Sequence, residues 1–334
     1  MTELKAFSYS APGKMMIAGE YAVLYGFPAL VMAMDCRAKT TFTPADKCTV
    51  RGIDDAVFEV VKEKNIVKIL QAKPENQLRL FEVALNYFYE FHPLPPYAIT
   101  VDSAGFFSHG QKLGLGSSAA ATVSLTAALL RAQTGKSPPP NDIRLHALAI
   151  HHRLNDGFGS GADIYASVFG GVFRFSTQDT AIRHIRPWQN PNWSLQPVFA
   201  GKSQSTKSWV EQIQKWATQN PDIANQHWQQ INEATLILHQ GLETQNGDQL
   251  TQGIALNADA MRALGKSVKL DILDSGSQAI AQTAQSHGGS AKPSGAGGGD
   301  VSLAVVPTKS LAAFREDLEK QCLTPVDVPA FAIG

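Results

Sequence analysis

The stretch that decides the fold is Lys112-Leu-Gly-Leu-Gly-Ser-Ser-Ala-Ala120, a glycine-rich turn followed at once by alanines. The residues from about Ser117 to about Gln133 are rich in alanine and leucine and contain no helix breaker, which predicts a helix. Glycine lets the backbone approach a ligand closely, and a helix N-terminus presents unpaired N–H groups with a partial positive charge. The stretch therefore predicts a phosphate site at the start of a helix. The alternative is an ordinary turn in which Ser117 or Ser118 is the N-cap.

Two better-known phosphate motifs do not fit this chain. Gly-Lys-Ser occurs three times, but the glycine that a P-loop needs five positions earlier is replaced each time, by Leu130, Gln196 and Ala260. The spacing Gly114-x-Gly116-x-x-Ala resembles a dinucleotide fingerprint, but no strand pattern directly precedes it and no acidic residue lies about 20 residues further on. Neither a P-loop nor a Rossmann site is expected.

Length and charge limit the classes of function. The 334 residues are 44% hydrophobic and 17% charged, enough for a substantial core and more than one domain. The 29 basic and 29 acidic residues balance, so we expect no nucleic-acid or membrane partner and only local binding of anions. The longest nearly uninterrupted apolar run, Tyr21–Met34, is shorter than the roughly 20 residues that cross a bilayer. Three scattered cysteines and the lack of a signal-like start favour a cytoplasmic protein.

The pattern of apolar residues predicts a mixture of strands and helices. From about residue 190 the composition shifts to a mostly helical stretch over 205–285 and then to a mixed pattern, so we predict two α+β domains, 1–190 and 191–334. Besides the helix from Ser117, the predicted strands are Met15–Ala18, Ala29–Met34, Thr40–Thr43, Tyr97–Val101, Val172–Phe175, Val301–Val306 and Val328–Ile333, and the predicted helices are 76–91, one from an Asn141 or Asp142 cap to His151, and Leu311–Gln321.

Two further glycine-containing segments accompany the turn at 112–120, namely Ala11–Gly26 and Lys292–Asp300. In this order and at this separation, the three segments resemble the motifs of the superfamily of galactokinase, homoserine kinase, mevalonate kinase and phosphomevalonate kinase, the GHMP kinases. The resemblance extends over about residues 9–306. It implies a two-domain GHMP kinase-like α+β fold, with an N-terminal ATP-binding domain of mixed sheet and helices and a C-terminal ferredoxin-like α+β domain with added helices.

The resemblance also implies ATP- and Mg²⁺-dependent phosphoryl transfer to a small anionic substrate held between the domains. Lys14 resembles the lysine that contacts the acceptor and the transferring phosphoryl group, Asp163 the acidic residue beside the acceptor, and Ser118 the serine that ligates Mg²⁺. Phosphoryl transfer needs positioned cations and donors where negative charge accumulates, which suits these residue types. Without the resemblance, Lys14 is a solvated lysine and Asp163 an acid favoured by a helix N-terminus. The full set of implied contacts is, for ATP, Lys112, Gly114, Leu115, Gly116, Ser117, Ser118 and Ala119, and, for the substrate, Glu20, Tyr21, Ser160, Gly161, Lys202, Ser205, Thr206, Ser294, Gly295, Ala296 and Gly297.

Within the superfamily, the segment ending at Asp300 resembles the triple-glycine-aspartate form of phosphomevalonate kinases, and Gly-Glu-Tyr21 replaces the Gly-Glu-His typical of mevalonate kinases. The turn at 201–206 resembles a substrate-contacting turn of the same enzymes. A phosphate acceptor is already largely dianionic at neutral pH and needs cations more than a base. The lysines in or beside the motifs, each equally a candidate for a solvated surface position, are Lys14, Lys112, Lys202 and Lys292. A mevalonate kinase and a non-catalytic sensor on the same fold are the alternatives.

Two observations limit the metal chemistry and leave the assembly open. Where mevalonate kinases carry a metal-binding glutamate before the aspartate, this chain reads His151-His-Arg-Leu-Asn155. The adjacent histidines His151 and His152 point in different directions on a helix and have no partner at i+4, so no transition-metal site is predicted. We expect a monomer or a homodimer.

Overall fold

The computed structural model describes residues 4–51, 56–63, 66–70, 76–89, 95–108, 110–178, 182–201 and 206–327. These residues form a mixed α+β structure, which confirms the predicted fold class. The strands are β1 (Phe7–Ala18), β2 (Ala29–Pro44), β3 (Thr49–Arg51), β4 (Val57–Glu63), β5 (Ile66–Ile69), β6 (Tyr97–Asp102), β7 (Phe107–Ser108), β8 (Gln111–Lys112), β9 (Val172–Phe175), β10 (Arg183–Ile185), β11 (Trp193–Phe199), β12 (Ser290–Pro293), β13 (Val301–Pro307) and β14 (Thr324–Pro325). The helices are α1 (Asn76–Tyr89), α2 (Ser117–Thr134), α3 (Pro140–Leu154), α4 (Ala162–Phe169), α5 (Thr206–Gln219), α6 (Pro221–Glu243), α7 (Gly247–Val268), α8 (Ser275–Ser286) and α9 (Leu311–Lys320).

Most of the strands belong to two sheets. The larger sheet has the strand order β10-β9-β2-β6-β3-β4-β5, with β1 also paired to β2. Its long central strand β2 joins two segments that the sequence predicts as separate strands. The smaller sheet is antiparallel in the order β12-β13-β11-β14. The last strand of the first sheet ends at Ile185 and the first strand of the second begins at Trp193.

The helix that follows the glycine-rich turn is buried along almost its whole length. Alanines at 119, 120, 121, 127 and 128 keep α2 narrow, so it packs directly against β1 and β2. One apolar cluster joins this region to the second sheet, since Met15 and Leu115 belong to the same cluster as Ile254 and Leu303. The two halves therefore share a core, and the division at residue 190 stays a prediction.

Three local differences from the sequence-based expectation have simple reasons. Helix α3 begins at Pro140 with Pro139 as its N-cap, two or three residues before the predicted cap at Asn141 or Asp142. Proline suits the first helical position, because the backbone N–H there has no partner. Strand β11 is not predicted from the sequence because Pro197 lies inside it, and proline is unfavourable within a strand. Strand β12 is hidden in a segment that reads as a glycine-rich turn. The predicted strand at 328–333 lies outside the described residues.

In the part of the chain that the structure describes, every helix is too short or too polar to span a bilayer.

Candidate active site

Two cavities meet at the centre of the molecule, and one is polar whereas the other is mainly apolar. The polar cavity is lined by Lys14, Lys112, Gly114, Gly116, Ser117, Ser118, His151, Asn155, Phe158, Gly159, Asp163, Lys207, Val210 and Asp300. The apolar cavity is lined by Lys14, Met16, Glu20, Tyr21, Val23, Leu24, Val31, Gly159, Ser160, Ala162, Asp163, Val210, Gly295 and Ala296. Both lists contain Lys14, Asp163, Gly159 and Val210, so these four residues form the wall where the cavities join.

The polar cavity is built on the start of α2. Gly116 is the N-cap with φ +82°, and within the described chain no side chain caps this helix end. Ser117 and Ser118 therefore lie in the first turn rather than serving as caps, and both line the cavity beside the unpaired N–H groups of the helix start. Leu115 and Ala119 are buried behind the loop. This geometry favours the anion-binding interpretation of the stretch over the ordinary-turn alternative.

Lys14 reaches the junction because its strand is irregular. Pro12 pairs with Arg37 whereas Gly13 pairs with Met34, a register shift that places Asp35 and Cys36 in a bulge on β2. Bulges bend strands and re-aim side chains, often beside active sites. The Lys14 backbone N–H then donates to the Leu115 carbonyl oxygen at 2.8 Å. A Cβ atom on Gly116 would lie only 2.9 Å from the Lys14 Cγ atom, so this position needs glycine for the lysine to cross the loop.

Asp163 lies in the first turn of α4 at the same junction. Its Oδ1 atom accepts a hydrogen bond from the Ile164 N–H at 2.9 Å, and its Oδ2 atom lies 3.3 Å from His151 Nε2. The helix N-terminus stabilises the ionised carboxylate. The predicted catalytic pair Lys14 and Asp163 is therefore brought to one place by different elements, a lysine from β1 and a carboxylate from α4.

The predicted substrate residues divide into those that line the apolar cavity and those that lie behind it. Ser160, Gly295 and Ala296 line it together with Glu20 and Tyr21. Behind them, the Ser294 hydroxyl donates to the Met16 carbonyl oxygen at 2.9 Å and ties the third segment to β1. Gly161 is the N-cap of α4, and Gly297 packs against Ile272.

A buried ion pair fixes the third glycine-rich segment beneath the cavity. Lys292 and Glu20 form an ion pair with exposed side-chain fractions of 0% and 1%, so Lys292 cannot face a phosphate as its position in the motif indicates. Burial lowers the pKa of Lys292, and the neighbouring Glu20 carboxylate partly opposes this shift. Tyr21 is also buried, which raises the pKa of its phenol, and its hydroxyl donates to the Ala296 carbonyl oxygen at 2.7 Å. Glu20 Oε2 is buried and has no hydrogen-bond partner among the described residues.

Lysines from two sides supply positive charge to the polar cavity. Lys112 is exposed at its rim, at the end of the β7–β8 hairpin. Lys207 enters from the first turn of α5 and pairs with Asp156 at 2.6 Å. This bond holds the pKa of the Asp156 carboxyl below its usual value. The predicted contacts Lys202 and Ser205 lie outside the described residues, and of Thr206 the structure describes only the backbone at the start of α5.

Sequence reasoning missed four kinds of contributor to this site. Lys207 follows a motif by one residue and gave no separate signal. Asp300 lies in a motif, but only the fold packs it against Gly114 of the phosphate loop. His151 has no metal-ligating residue at i+4 and so gives no site signal in the sequence, but Asp163 lies beside it from the next helix. The apolar wall of Val23, Leu24, Val31 and Val210 has no local pattern, because it is assembled from distant segments.

The donors present fit Mg²⁺ better than a transition metal. In the described part of the chain, no cluster of three or more histidine, cysteine or acidic side chains is arranged to hold an ion. Mg²⁺ commonly keeps several waters and takes only one or two protein oxygens together with substrate phosphates. The Ser118 hydroxyl, exposed in the first turn of α2, is an oxygen of the kind that such a site uses.

Comparison with known proteins agrees with this geometry. Residues 79–171, which include α2, α3 and Asp163, match the family described as GHMP kinases N terminal domain. The phosphomevalonate kinase of Streptomyces sp. (strain CL190) is 27% identical, with 90% of each chain covered. That of Saccharolobus solfataricus is also 27% identical, over 96% of this chain and 95% of its own. The mevalonate kinase of Archaeoglobus fulgidus is 26% identical over 87% of this chain and 89% of its own.

The fold is shared with a solved kinase. The structure of Streptococcus pneumoniae phosphomevalonate kinase in complex with phosphomevalonate and AMPPNP superposes with a TM-score of 0.76 at 18% identity, covering 97% of this chain and 99% of that one. Residues 79–171 are therefore similar to the GHMP kinases, and the relatives that match over most of the chain are phosphomevalonate and mevalonate kinases at 26–27% identity.

Proposed function

We propose that the protein transfers the γ-phosphoryl group of ATP to (R)-5-phosphomevalonate, which yields 5-diphosphomevalonate and ADP in the mevalonate pathway of isoprenoid biosynthesis. The observation that carries the proposal is the junction of the two cavities. A phosphate-binding helix start lines one side, a mainly apolar cavity lies on the other, and Lys14 and Asp163 stand between them. A donor and an acceptor bound in adjoining cavities bring their reacting phosphates together at that wall.

The polar cavity suits the triphosphate. The backbone N–H groups at the start of α2 and the ammonium groups of Lys112 and Lys207 meet the negative charge of the β- and γ-phosphates. When bound, Mg²⁺ neutralises part of that charge, and Ser118 is the residue that holds it. The neutral protein thus offers local positive charge at the one place where this substrate needs it.

The transfer itself asks little covalent work of the protein. An oxygen of the acceptor phosphate bonds to the γ-phosphorus as the bond from that phosphorus to the bridging β-phosphate oxygen breaks, and ADP leaves with the electron pair. A phosphomonoester has a second pKa of about 6, so it attacks as a dianion without giving up a proton. Lys14 stabilises the charge that collects between the two phosphates at the junction.

The apolar cavity suits the branched carbon skeleton of the acceptor. Val23, Leu24 and Val31 supply hydrocarbon walls, and burial of the acceptor's carbon atoms against them favours binding.

Two other functions remain as named alternatives. The relatives include mevalonate kinases, whose alcohol acceptor has to lose a proton, and Asp163 is the nearby group that could receive it. A non-catalytic sensor needs ligand contacts only, so the joint presence of Lys14 and Asp163 at the junction counts against it.

The test is an ADP-release assay with MgATP, run side by side on mevalonate and 5-phosphomevalonate, with Lys14→Met as the control for contaminating kinases. Turnover of 5-phosphomevalonate that is lost in Lys14→Met supports the proposal. Turnover of mevalonate alone contradicts the phosphate acceptor and favours the first alternative. No turnover of either, with MgATP still bound, contradicts both pathway assignments.

A further inference from the structure

His151 lies in the wall of the polar cavity, in the last turn of α3. Its side chain is buried, with the residue 6% exposed, and its Nε2 atom lies 3.3 Å from Asp163 Oδ2. The neighbouring His152 is exposed on the same helix and lines neither cavity. The two histidines thus differ in burial and in access to the site, although they are adjacent in sequence.

The contact between His151 and Asp163 depends on how closely α3 and α4 approach. Gly161, the N-cap of α4, has φ +80°, and a Cβ atom there would lie 2.7 Å from Leu148 Cδ1 of α3. A side chain at this position would strain the backbone at this positive φ and would displace the Leu148 methyl group. Glycine lets the first turn of α4 settle against the last turns of α3, which sets the carboxylate beside the imidazole.

The surroundings of the ring decide which nitrogen carries the proton. Nδ1 is buried and has no hydrogen-bond partner in the described part of the chain. A proton on Nδ1 alone would bury an unpaired donor and turn the Nε2 lone pair toward a carboxylate oxygen. Asn155 Nδ2 lies 3.1 Å from Nε2 and also donates to the His151 carbonyl oxygen at 3.0 Å. Its amide group carries two hydrogens, so it can donate to Nε2 as well, but only when Nε2 carries no proton. A proton on Nε2 instead gives a charge-assisted contact with the carboxylate oxygen 3.3 Å away and leaves Nδ1 as an acceptor, which favours this tautomer.

We propose that His151 is a positioning residue, which acts by holding the Asp163 carboxylate at the junction of the two cavities. The Ile164 N–H restrains one oxygen and the His151 Nε2–H restrains the other, so the carboxylate keeps one orientation. A carboxylate held in this way orients the reacting groups. The inference rests on the proposed function only for the acceptor used in the assay.

A mutant cycle tests whether His151 acts through Asp163. His151→Leu should lower kcat about 10-fold, the size typical of lost supporting contacts, and leave the KM for ATP within about twofold. His151→Gln keeps an N–H donor near the Nε2 position and should recover most of the activity. In an Asp163→Ala background, His151→Leu should have no further effect on kcat, because its target is already gone. His152→Leu is the matched control and should be neutral.

Several outcomes would overturn the inference. An equal loss from His151→Leu with and without Asp163 would show an independent role, and a His151→Gln variant no better than His151→Leu at unchanged melting temperature would exclude the hydrogen bond. If the wild-type protein turns over a different acceptor, the proposed function fails, and the same cycle is run with that acceptor.

Nitrogen-15 NMR of the imidazole rings gives a readout that needs no turnover. The His151 signal is assigned by its loss in His151→Gln. We expect a protonated Nε2 in the wild-type protein at neutral pH. A bare Nε2 would contradict the inference, whatever the acceptor of the enzyme.

Discussion

The polar and apolar cavities differ in how much of their lining is local in sequence. Five of the fourteen residues that line the polar cavity come from the single stretch 112–118, and the others come from β1, α3 and the loop after it, α4, α5 and Asp300. The walls of the apolar cavity come from β1, β2, the turn after Gly19, α4, α5 and the third glycine-rich segment. The difference teaches that the centre of the proposed nucleotide site is encoded locally, whereas the proposed acceptor site exists only once the fold has assembled it.

The largest expected effect is the loss of kcat on substitution of Lys14, at the wall where the two cavities join. Because Lys14 faces both cavities, Lys14→Met should lower kcat about 10²–10³-fold, the usual cost of removing one preorganised group from a charged transition state. The KM for ATP should change little, since the α2 N-terminus still binds the phosphates. Steady-state kinetics checks this, with Lys39→Met on the exposed side of β2 as the control. An unchanged kcat would remove Lys14 from the mechanism.

The buried ion pair beneath the apolar cavity should govern stability. Lys292→Met leaves the Glu20 carboxylate buried without its cation, which should cost about 3–5 kcal/mol in the free energy of unfolding. Denaturant unfolding measures the loss. The double variant Glu20→Gln with Lys292→Met should be less destabilised than Lys292→Met alone, because no unpaired charge is then left inside. Similar losses for the two proteins would contradict this account of the pair.

Substitution of Asp163 distinguishes a phosphate acceptor from an alcohol acceptor. Asp163→Asn removes the charge and keeps the shape, and with a phosphate acceptor kcat should fall by at most about 30-fold. Removal of an obligatory general base costs about 10²–10⁴-fold. The kcat values of the wild type and the variant on 5-phosphomevalonate decide whether Asp163 is an obligatory general base. A nearly inactive variant would favour proton abstraction.

Leu24 should affect the apolar cavity alone. Leu24→Ala should raise the KM for the acceptor about fivefold to tenfold, because each methylene buried against a ligand is worth about 0.8 kcal/mol. The KM for ATP should stay constant. Leu236→Ala, at a leucine 45% exposed on α6, is the control. Equal shifts in both KM values would break the separation of the two cavities.

Substitution of Lys207 should give the smallest effect, and the KM that changes should be that for ATP. It lines only the polar cavity, and its pair with Asp156 is exposed, so Lys207→Met should raise the KM for ATP about twofold to fivefold. The effect should shrink at high salt, since exposed charges are screened. Lys215→Met, further along α5, is the matched control. A larger effect on the acceptor would place Lys207 in the other cavity.

The fold was predictable where local propensity and tertiary structure agree. Helix α2 is observed at Ser117–Thr134, against a predicted Ser117 to Gln133, because its alanines favour a helix and also fit the narrow space beside β1. Strand β11 was not predictable, since Pro197 lacks the N–H that a strand residue donates, yet β11 pairs with β13 along its whole length. Tertiary pairing overrode the local preference there.

In the candidate site, too, the locally encoded parts were predictable and the parts assembled by tertiary contacts were not. Composition and spacing pointed to the phosphate loop, but for Lys292 they offered only a phosphate contact or a solvated position, whereas the structure buries it against Glu20. The partnership of His151 with Asp163 crosses from α3 to α4 through a close helix contact, which no periodicity within one helix reveals. Residues that work within one turn are visible in the sequence, and residues that work across elements are not.

The central claim, transfer to a phosphate at the junction of the two cavities, is tested most directly by phosphorus-31 NMR of the product made from MgATP and 5-phosphomevalonate. The account predicts two mutually coupled resonances, because the new phosphorus is joined to the old one through a bridging oxygen. Two uncoupled monoester resonances would place the new phosphate on a hydroxyl group and would contradict it.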